Sequence, residues 1–308
     1  MLFSLSIDWN FNPDIITIGS FPIKYYSLMF VLTFILGLQI MKMIFKKDII
    51  SIEKLDSLFM YTVIAMLLGA RIGHYVFYEE DYTLAEVFLP FRLNPFEFTG
   101  FRGLASHGAA IGIIIALYFY SKKVVKKPLL WTLDRVALPA AIGGMFVRFG
   151  NLFNSEIVGK ATGSDFGFKF IRNDISEYKA MGITGADEVN KAYNLIANNS
   201  RFKEVLAEVP NRYPTQIYEA TGYLVTFLVL WYLYWKTDKK QHIGYLFGVW
   251  MVMIWSVRFF VEFYKEWQGG LEEWIDISIK LNTGQLLSIP LVLVGLFFMF
   301  RKSKTILE

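Results

Sequence analysis

Long apolar runs recur along the chain, and each is close to the length that a helix needs to cross a lipid bilayer. Crossing takes about 20 mostly apolar residues, because lipid offers the backbone no hydrogen-bond partners. The clearest run, Tyr25–Met41, contains no charged residue and lies between Lys24 and Lys42. Six further runs follow: Ser57–Tyr78, Leu104–Tyr120, Leu129–Phe149, Gln216–Trp235, Ile243–Phe263 and Gly284–Phe300. The pattern predicts seven transmembrane helices.

The composition agrees with a lipid environment. Hydrophobic residues make up 55% of the 308 residues and charged residues only 19%, below the roughly 25% that is usual for soluble domains. The chain has no cysteine, which excludes disulfides, thiolate metal sites and a cysteine nucleophile of its own. We therefore interpret the chain as an all-α polytopic membrane protein and exclude the disordered, collagen-like and disulfide-scaffold classes.

Basic residues are distributed unevenly between alternate loops, and cytoplasmic loops are the ones enriched in lysine and arginine. One set of loops, with the C-terminal tail, carries fourteen: Lys42, Lys46, Lys47, Lys54, Lys122, Lys123, Lys126, Lys127, Lys236, Lys239, Lys240, Arg301, Lys302 and Lys304. The opposite short segments carry five: Lys24, Arg92, Arg102, Lys265 and Lys280. This bias predicts an N-terminus outside the cytoplasm and a cytoplasmic C-terminus, the arrangement that a periplasmic N-terminus would give in a bacterial inner membrane.

Two segments between the spans are predicted to lie on the outer side. Residues 79–103 are acidic at first and then aromatic and proline-containing, and we interpret them as an arm along the membrane interface or, alternatively, as a simple loop. Residues 157–213 are polar and long enough for a small head outside the cytoplasm, which would be periplasmic in an inner-membrane protein. The predicted division is 1–156 for helices one to four with the arm, 157–213 for the head, and 214–308 for helices five to seven with the cytoplasmic tail.

Polar residues interrupt several of the spans. A charge in the hydrocarbon costs roughly 3 kcal/mol on insertion scales, so each one is a functional hypothesis. They fall late in helices two, four and six, which run outward, and early in helices three, five and seven, which run inward. They are Arg71, His74, His107, Arg148, Asn151, Asn154, Glu156, Gln216, Glu219, Arg258, Glu262 and Gln285. The topology predicts that all of them collect in the outer half of the bilayer.

Three arginines in one layer favour a phosphate ligand, because the planar guanidinium donates two parallel hydrogen bonds. The phosphate of an anionic lipid headgroup lies in the same layer, the outer part of the bilayer. Arg258 and Glu262 lie four residues apart, and this spacing predicts an ion pair that orients the guanidinium. His107 is the candidate base for an incoming nucleophile. The sequence has no zinc-type or Walker-type motif, and its cytoplasmic lysines are interpreted as anionic-lipid contacts rather than a nucleic-acid surface.

The segment from Arg148 to Gly159, RFGNLFNSEIVG, resembles the signature of bacterial prolipoprotein diacylglyceryl transferases. Six further motifs match the same family in order: Tyr25–Met29, Gly69–Gly73, His107-Gly108, Pro214–Glu219, Arg258–Phe263 and Gly284–Pro290. Together they cover nearly the whole chain, and their order makes the resemblance highly specific. The chain departs from the family pattern at Ala109, at Tyr213 and in a longer stretch at 178–206.

The resemblance implies transfer of the sn-1,2-diacylglyceryl group of phosphatidylglycerol to the lipobox cysteine thiol in the signal peptide of a preprolipoprotein. A thioether forms, glycerol 1-phosphate leaves, and no cofactor is required. The implied location is the bacterial cytoplasmic (inner) membrane, with the active site facing the periplasmic leaflet.

The resemblance and the polar positions within the spans together assign residues to roles, as a hypothesis. The catalytic residues are His107, Arg148 and Arg258. The phosphatidylglycerol-binding set is Tyr26, Arg71, Arg148, Asn151, Asn154, Gly159 and Arg258. The supporting set is Glu156, Gln216, Glu219 and Glu262, and no metal ligand is expected.

Alternatives remain for single residues and for the class. Arg71 and His74 can hold helices together without touching a ligand, and Gln216 and Glu219 can bond across helices. Intramembrane charges also mark transporters and lipid-binding channels, but a transporter should show repeated halves with broken helices, and the sequence shows no repeat. The identity of the base is open, because a histidine beside arginines can have too low a pKa to serve.

Overall fold

The computed structural model describes residues 5–19, 21–79, 84–89, 91–93, 96–98, 105–266 and 281–302. Each apolar run of the sequence is a helix in this part of the chain. The long helices are α1 (Tyr25–Lys47), α2 (Ile52–Tyr78), α4 (Ser106–Tyr120), α5 (Leu129–Phe153), α10 (Thr215–Lys236), α11 (Tyr245–Val261) and α12 (Thr283–Phe300). The third run was predicted to begin at Leu104, which lies outside the described residues.

Five helices are long and apolar enough to cross a membrane among the residues described: Tyr25–Lys47, Ile52–Tyr78, His107–Val125, Leu129–Phe153 and Thr283–Phe300. α11 is apolar but shorter, and α10 has 22 residues but a more polar first turn. The chain is therefore a mostly helical, multi-pass membrane protein. The count of seven spans, the orientation and the division at residues 156 and 213 stay predictions.

Short elements fill the described parts of the connections, and the six strands found there were not predicted. The short helices are α3 (Leu84–Phe88), α6 (Ile171–Asp174), α7 (Glu177–Thr184), α8 (Val189–Asn198) and α9 (Lys203–Glu208). The strands are β1 (Leu5–Trp9), β2 (Asp14–Ile18), β3 (Phe21–Lys24), β4 (Phe91–Leu93), β5 (Phe96–Phe98) and β6 (Phe166–Phe170). β1 pairs with β6 in parallel, while β2 with β3 and β4 with β5 are antiparallel pairs.

The chain divides into two compact units, residues 1–37 with 137–308 (the first unit) and residues 38–136 (the second unit). In the second unit α2 and α4 pack backbone to backbone. A Cβ at Gly69 would overlap the carbonyl oxygen of Gly108, and a Cβ at Gly73 would lie 2.7 Å from the Gly108 Cα. Close approach through small residues is how helices associate in lipid, where no hydrophobic force drives them together.

The predicted arm belongs to the second unit and is described only at residue 79, in α3 with Leu89, and in β4 and β5. Arg71 is buried there, and its Nη2 donates to the carbonyl oxygens of Glu86 (3.0 Å) and Leu89 (3.3 Å) and to the Tyr75 hydroxyl (3.1 Å). These contacts fasten the α3 segment to α2.

In the first unit α11 packs against α10 and α12, and the start of α1 packs against the end of α5. Thr33 of α1 contacts the backbone at Gly143, where a Cβ would lie 2.6 Å from its methyl group. Residues 166–209 form a small helical cluster whose core contains Ile171, Ala180, Ala192, Tyr193 and Ile196. The pairing of β1 with β6 adds the start of the chain to this cluster.

The backbone contact between α2 and α4 predicts that Gly112→Ala destabilises the protein. The new methyl group would overlap the Ala65 carbonyl oxygen and lie 3.2 Å from the Gly69 Cα, so the helices must separate. Overpacking of this kind costs about 1–3 kcal/mol, and we expect a lower thermal unfolding temperature in detergent. Gly182→Ala in α7 is the matched control, because nothing lies within 4 Å of its Cβ position. Equal unfolding temperatures for Gly112→Ala and the parent would contradict the packing argument.

Candidate active site

The helices of the first unit bring buried charges together from separate parts of the chain. Arg148, late in α5, places its Nε 2.6 Å from Oε2 of Glu219, early in α10. Both side chains are almost fully buried. The contact is an ion pair but not a hydrogen bond: neither carboxylate oxygen of Glu219 accepts a hydrogen bond from the described residues. Removing either partner would leave an uncompensated buried charge, which costs about 3–5 kcal/mol.

A chain of polar contacts runs from Arg148 through the signature segment. The Nη1 of Arg148 donates to Asn151 Oδ1 (3.2 Å), and Asn151 Nδ2 donates to Glu156 Oε1 (2.7 Å). Asn154 Nδ2 also donates to Glu156 Oε1, at 3.5 Å. Tyr26 of α1 interacts electrostatically with Glu156 and Arg148. Asn151 therefore fixes the guanidinium and the carboxylate at the same time.

The start of α1 is held beside this chain by aromatic packing. Phe11 contacts Tyr25 and Phe153, with ring centroids 4.9 and 4.8 Å apart. Trp9 of β1 stacks on Phe11 and donates its Nε1–H to the Leu152 carbonyl oxygen at 3.1 Å. The ring of Tyr26 leaves no room for a side chain at Gly150, where a Cβ would lie 2.7 Å from its Cδ2. These contacts position Tyr26 against the end of α5.

Glu156 is presented by a strained turn. The residues on both sides of it, Ser155 and Ile157, have positive φ angles of 54° and 59°, which is uncommon for any residue with a Cβ and more so for a β-branched one. The first turn of α10 holds the strained backbone. Gln216 Nε2 donates to the Glu156 carbonyl oxygen (2.8 Å), and Thr215 Oγ1 donates to that of Ile157 (3.0 Å). Strain of this kind persists where neighbouring structure enforces it, and it concentrates at functional sites.

Backbone hydrogen bonds join three segments next to the turn. The N–H of Gly159 donates to the Tyr213 carbonyl oxygen (3.1 Å), and that of Lys160 donates to the Tyr264 carbonyl oxygen (2.8 Å). A Cβ at Gly159 would overlap the Tyr213 oxygen and lie 2.9 Å from the Tyr264 oxygen. This close approach of the backbone explains why position 159 requires a residue without a side chain.

Arg212 fastens the same junction and was not singled out in the sequence. It donates to Asp174 through Nε and Nη2 and to the Gly159 carbonyl oxygen through Nη1 (3.1 Å). Its Nη1 also lies 3.0 Å from Oε1 of Glu266. The hydrogen bonds to Asp174 raise the pKa of the guanidinium above its usual range. The arginine therefore links the segments at 159, 174 and 266.

Arg258 of α11 faces the same cluster as Arg148. Both guanidinium groups interact with Tyr223 of α10, a buried tyrosine one turn after Glu219. The Arg258 guanidinium carbon lies 5.4 Å from the centroid of the Trp255 ring. Its Nε is buried and has no hydrogen-bond partner among the described residues. Tyr223 was missed in the sequence, although its helical spacing from Glu219 was a usable signal.

The predicted ion pair between Arg258 and Glu262 is wrong for the part of the chain that the structure describes. α11 ends at Val261, and Glu262 is its C-cap. The Glu262 carboxyl lies instead over the start of α12, where its Cδ is 2.6 Å from the Cβ position of Gly284, and its Oε2 lies 3.8 Å from Lys265 Nζ. The N-terminus of a helix attracts a carboxylate, which explains why Glu262 turns toward α12.

The beginning of α12 is fixed to the end of α11. Asn282 and Gln285 form a capping box. Asn282 Nδ2 donates to the Glu262 carbonyl oxygen at 3.3 Å, and Gln285 Nε2 donates to that of Phe259 at 3.5 Å. These bonds keep the Glu262 carboxyl at the helix N-terminus.

Three of the predicted polar residues belong to the second unit. Arg71 makes the contacts to α3 described above. His107 is the second residue of α4 and is exposed, and His74 Nε2 lies 3.4 Å from Oε1 of Glu79. The participation of Arg71 and His107 in one site with Arg148 stays a prediction.

Apolar helices that carry a buried cluster of arginines and carboxylates define a multi-pass membrane protein with a polar site among its helices. The prolipoprotein diacylglyceryl transferase family model matches residues 13–301. The chain belongs to this family and is a transferase, which confirms the resemblance seen in the motifs.

Its relatives match over almost their full length. Proteins named phosphatidylglycerol–prolipoprotein diacylglyceryl transferase are 38% identical in Porphyromonas gingivalis and 35% identical in Bacteroides fragilis. The matches cover 97% and 96% of this chain, and 95% of each relative. A relative of the same name from Helicobacter pylori is 30% identical over 96% of both chains.

The contact between the Glu262 carboxyl and the backbone at Gly284 predicts that Gly284→Ala impairs the enzyme. The added methyl group would meet the Glu262 carboxyl at 2.6–2.9 Å and push it away from the start of α12. We expect transferase activity to fall on the order of 10- to 100-fold, since displacements near 1 Å have effects of this size. The activity and the unfolding temperature are measured together, with Gly182→Ala as the unhindered control. Full activity of Gly284→Ala would show that the position of Glu262 is unimportant.

Proposed function

We propose that the protein transfers the diacylglyceryl group of phosphatidylglycerol to the lipobox cysteine thiol of a preprolipoprotein, the first step of bacterial lipoprotein maturation. The names of the relatives support this donor and this class of acceptor. The observation that carries the proposal is that two arginines from separate helices, Arg148 of α5 and Arg258 of α11, both interact electrostatically with the same buried tyrosine, Tyr223, while the buried Nε of Arg258 has no acceptor among the described residues. Two guanidinium groups around one space suit a phosphate.

The reaction exchanges one bond for another. The thiol sulfur attacks the glyceryl carbon that carries the phosphate, forming a thioether. The carbon–oxygen bond breaks, and its electron pair leaves with glycerol 1-phosphate. Negative charge grows on the leaving phosphate, so fixed donors at its oxygens stabilise the transition state.

The two arginines differ in the contacts that leave their N–H groups available to bind phosphate. Arg148 is held by Glu219 and Asn151, which leaves its other N–H groups to donate to phosphate oxygens. Arg258 has no ion pair with a carboxylate among the described residues, and its buried Nε has no acceptor there. A phosphate oxygen would supply that acceptor.

The neighbouring residues are assigned supporting roles. Asn151, Asn154 and Tyr26 surround Glu156 and complete the phosphatidylglycerol-binding set together with Gly159. Gln216 and Glu219 hold the turn and Arg148, while Glu262 acts from the start of α12. No residue of the chain forms a covalent intermediate, because the nucleophilic sulfur belongs to the substrate.

His107 is proposed as the base that accepts the thiol proton, and Arg71 as a further lipid contact. Both assignments rest on the family motifs and on the depth expected from the helix directions. Turnover of His107→Asn at the parental rate across the pH range would reject the first. A parental KM for phosphatidylglycerol in Arg71→Gln would reject the second.

The proposed setting is the bacterial inner membrane, with seven spans, a periplasmic N-terminus and a cytoplasmic C-terminus. The site would then open to the periplasmic leaflet, where residues 157–213 form a head. The partners are phosphatidylglycerol, the signal peptide of the preprolipoprotein and the surrounding bilayer, with no nucleic acid.

The function is tested with the purified full-length protein, phosphatidylglycerol and a peptide that contains a lipobox cysteine. We expect the cysteine to gain the mass of a diacylglyceryl group, and Arg148→Ala to lose at least about 100-fold in rate. Mass spectrometry of the peptide and release of glycerol phosphate report the two halves of the reaction. No mass shift, or an equal shift with Arg148→Ala, would overturn the proposal.

Arg258→Lys tests the planar geometry of the second arginine. Lysine keeps the charge but loses the fork of parallel donors, so we expect kcat/KM to fall about tenfold or more. The unfolding temperature should stay near that of the parent, since Arg258 makes no ion pair with the described residues. Full activity of this variant would reject bidentate binding.

A further inference from the structure

Lys265 is a buried lysine that has no role in the function proposed above. It follows α11 by four residues and is only 7% exposed. Its Nζ lies 3.8 Å from Oε2 of Glu262, which is an ion contact but too long for a hydrogen bond. No hydrogen bond of this ammonium group is present among the described residues, although an ammonium has three donors to satisfy.

The backbone around Lys265 is fixed on both sides. Residue 265 bridges to Gly159 in an antiparallel register. The Tyr264 carbonyl oxygen accepts from Lys160 N–H (2.8 Å), and Glu266 N–H donates to the Val158 carbonyl oxygen (3.1 Å). The side chain of Glu266 is held by Arg212. The backbone hydrogen bonds that join the segments at Gly159, Tyr213 and Tyr264 therefore also direct the Lys265 side chain inward.

The Lys265 ammonium faces the cluster of the candidate site from α5, α10 and α11. Burial lowers its pKa, the carboxylates of Glu219 and Glu262 raise it, and the guanidinium groups of Arg148 and Arg258 lower it again, with a net decrease. A buried cation without hydrogen bonds is costly unless an anion compensates it. Glu219 is already paired with Arg148, and Glu262 lies against the start of α12. The ammonium therefore has donors that no acceptor among the described residues uses, within electrostatic range of the two arginines.

We propose that Lys265 is a third cation of this site and binds an oxygen of the phosphate of the donor lipid beside Arg148 and Arg258. The inference rests on the proposed function, because it takes phosphatidylglycerol as the donor. A lysine contributes a compact point charge, which complements the planar forks of the two arginines.

The test compares kcat and KM for phosphatidylglycerol in detergent, with a lipobox peptide as acceptor. Loss of one charge-assisted hydrogen bond predicts a fall in kcat/KM of about 10- to 100-fold in Lys265→Gln and in Lys265→Met. Lys265→Arg keeps a positive charge and should stay within about fivefold of the parent. Lys160→Gln is the matched control, since Lys160 lies in the same junction but is exposed and donates to the Phe263 carbonyl oxygen.

The outcomes separate the two proposals. An inactive parent protein would reject the proposed function itself. An active parent with unchanged kcat/KM in both neutral variants would reject only the role of Lys265. If Lys265→Arg is as impaired as Lys265→Gln while its unfolding temperature is normal, the position requires a titratable amine and the cation role is wrong. Equal losses in Lys160→Gln would mean that the junction, and not the ammonium, is responsible.

Discussion

The structure of the first unit depends on how it compensates the positive charge of Arg148 far from water. A guanidinium group buried in the protein is tolerated only with an opposite charge and hydrogen bonds around it. Glu219 supplies the charge and Asn151 supplies an acceptor. Asn151 also binds Glu156, so the position of one arginine determines the positions of three other polar side chains. A substitution at any of them would disturb the whole set.

The strained turn around Glu156 follows from the same requirement. Ser155 and Ile157 adopt left-handed conformations on both sides of Glu156, and the Glu156 carboxylate accepts a hydrogen bond from Asn151, in the last turn of α5. The first turn of α10 compensates for the strain, because Thr215 and Gln216 donate to the two carbonyl oxygens that the turn exposes. The polar residues at the start of α10 therefore hold the site.

Sequence reasoning located the long helices because their length and apolar content are properties of continuous segments. It also named Arg148, Glu156, Gln216 and Glu219, since polar residues within spans are conspicuous. It failed where an outcome depended on distant segments. The pairing of Arg258 with Glu262 was predicted from helical spacing. That spacing could not reveal that α11 ends at Val261, or that the Glu262 carboxyl lies against the backbone at Gly284.

The strands and Lys265 were missed for related reasons. β1 and β6 are five residues each and lie more than 150 residues apart, so neither carries a signal of its own. Lys265 was counted among the loop lysines that report orientation, because a single lysine after a span is most often solvated. Only the hydrogen bonds at Gly159, Tyr264 and Glu266 turn it inward.

The charge balance of the cluster connects these residues to the direction of the proposed reaction. Around Lys265 stand the cations Arg148 and Arg258 and the carboxylates Glu219 and Glu262, and Glu156 joins the same cluster through Asn151. A phosphodiester carries one negative charge, which the three cations would bind. When the glyceryl carbon–oxygen bond breaks, the phosphate gains further negative charge. Groups that bind the more highly charged phosphate more tightly than they bind the phosphodiester accelerate the step. An ammonium that a fixed backbone holds in the same cluster as two guanidinium groups meets this condition without rearrangement.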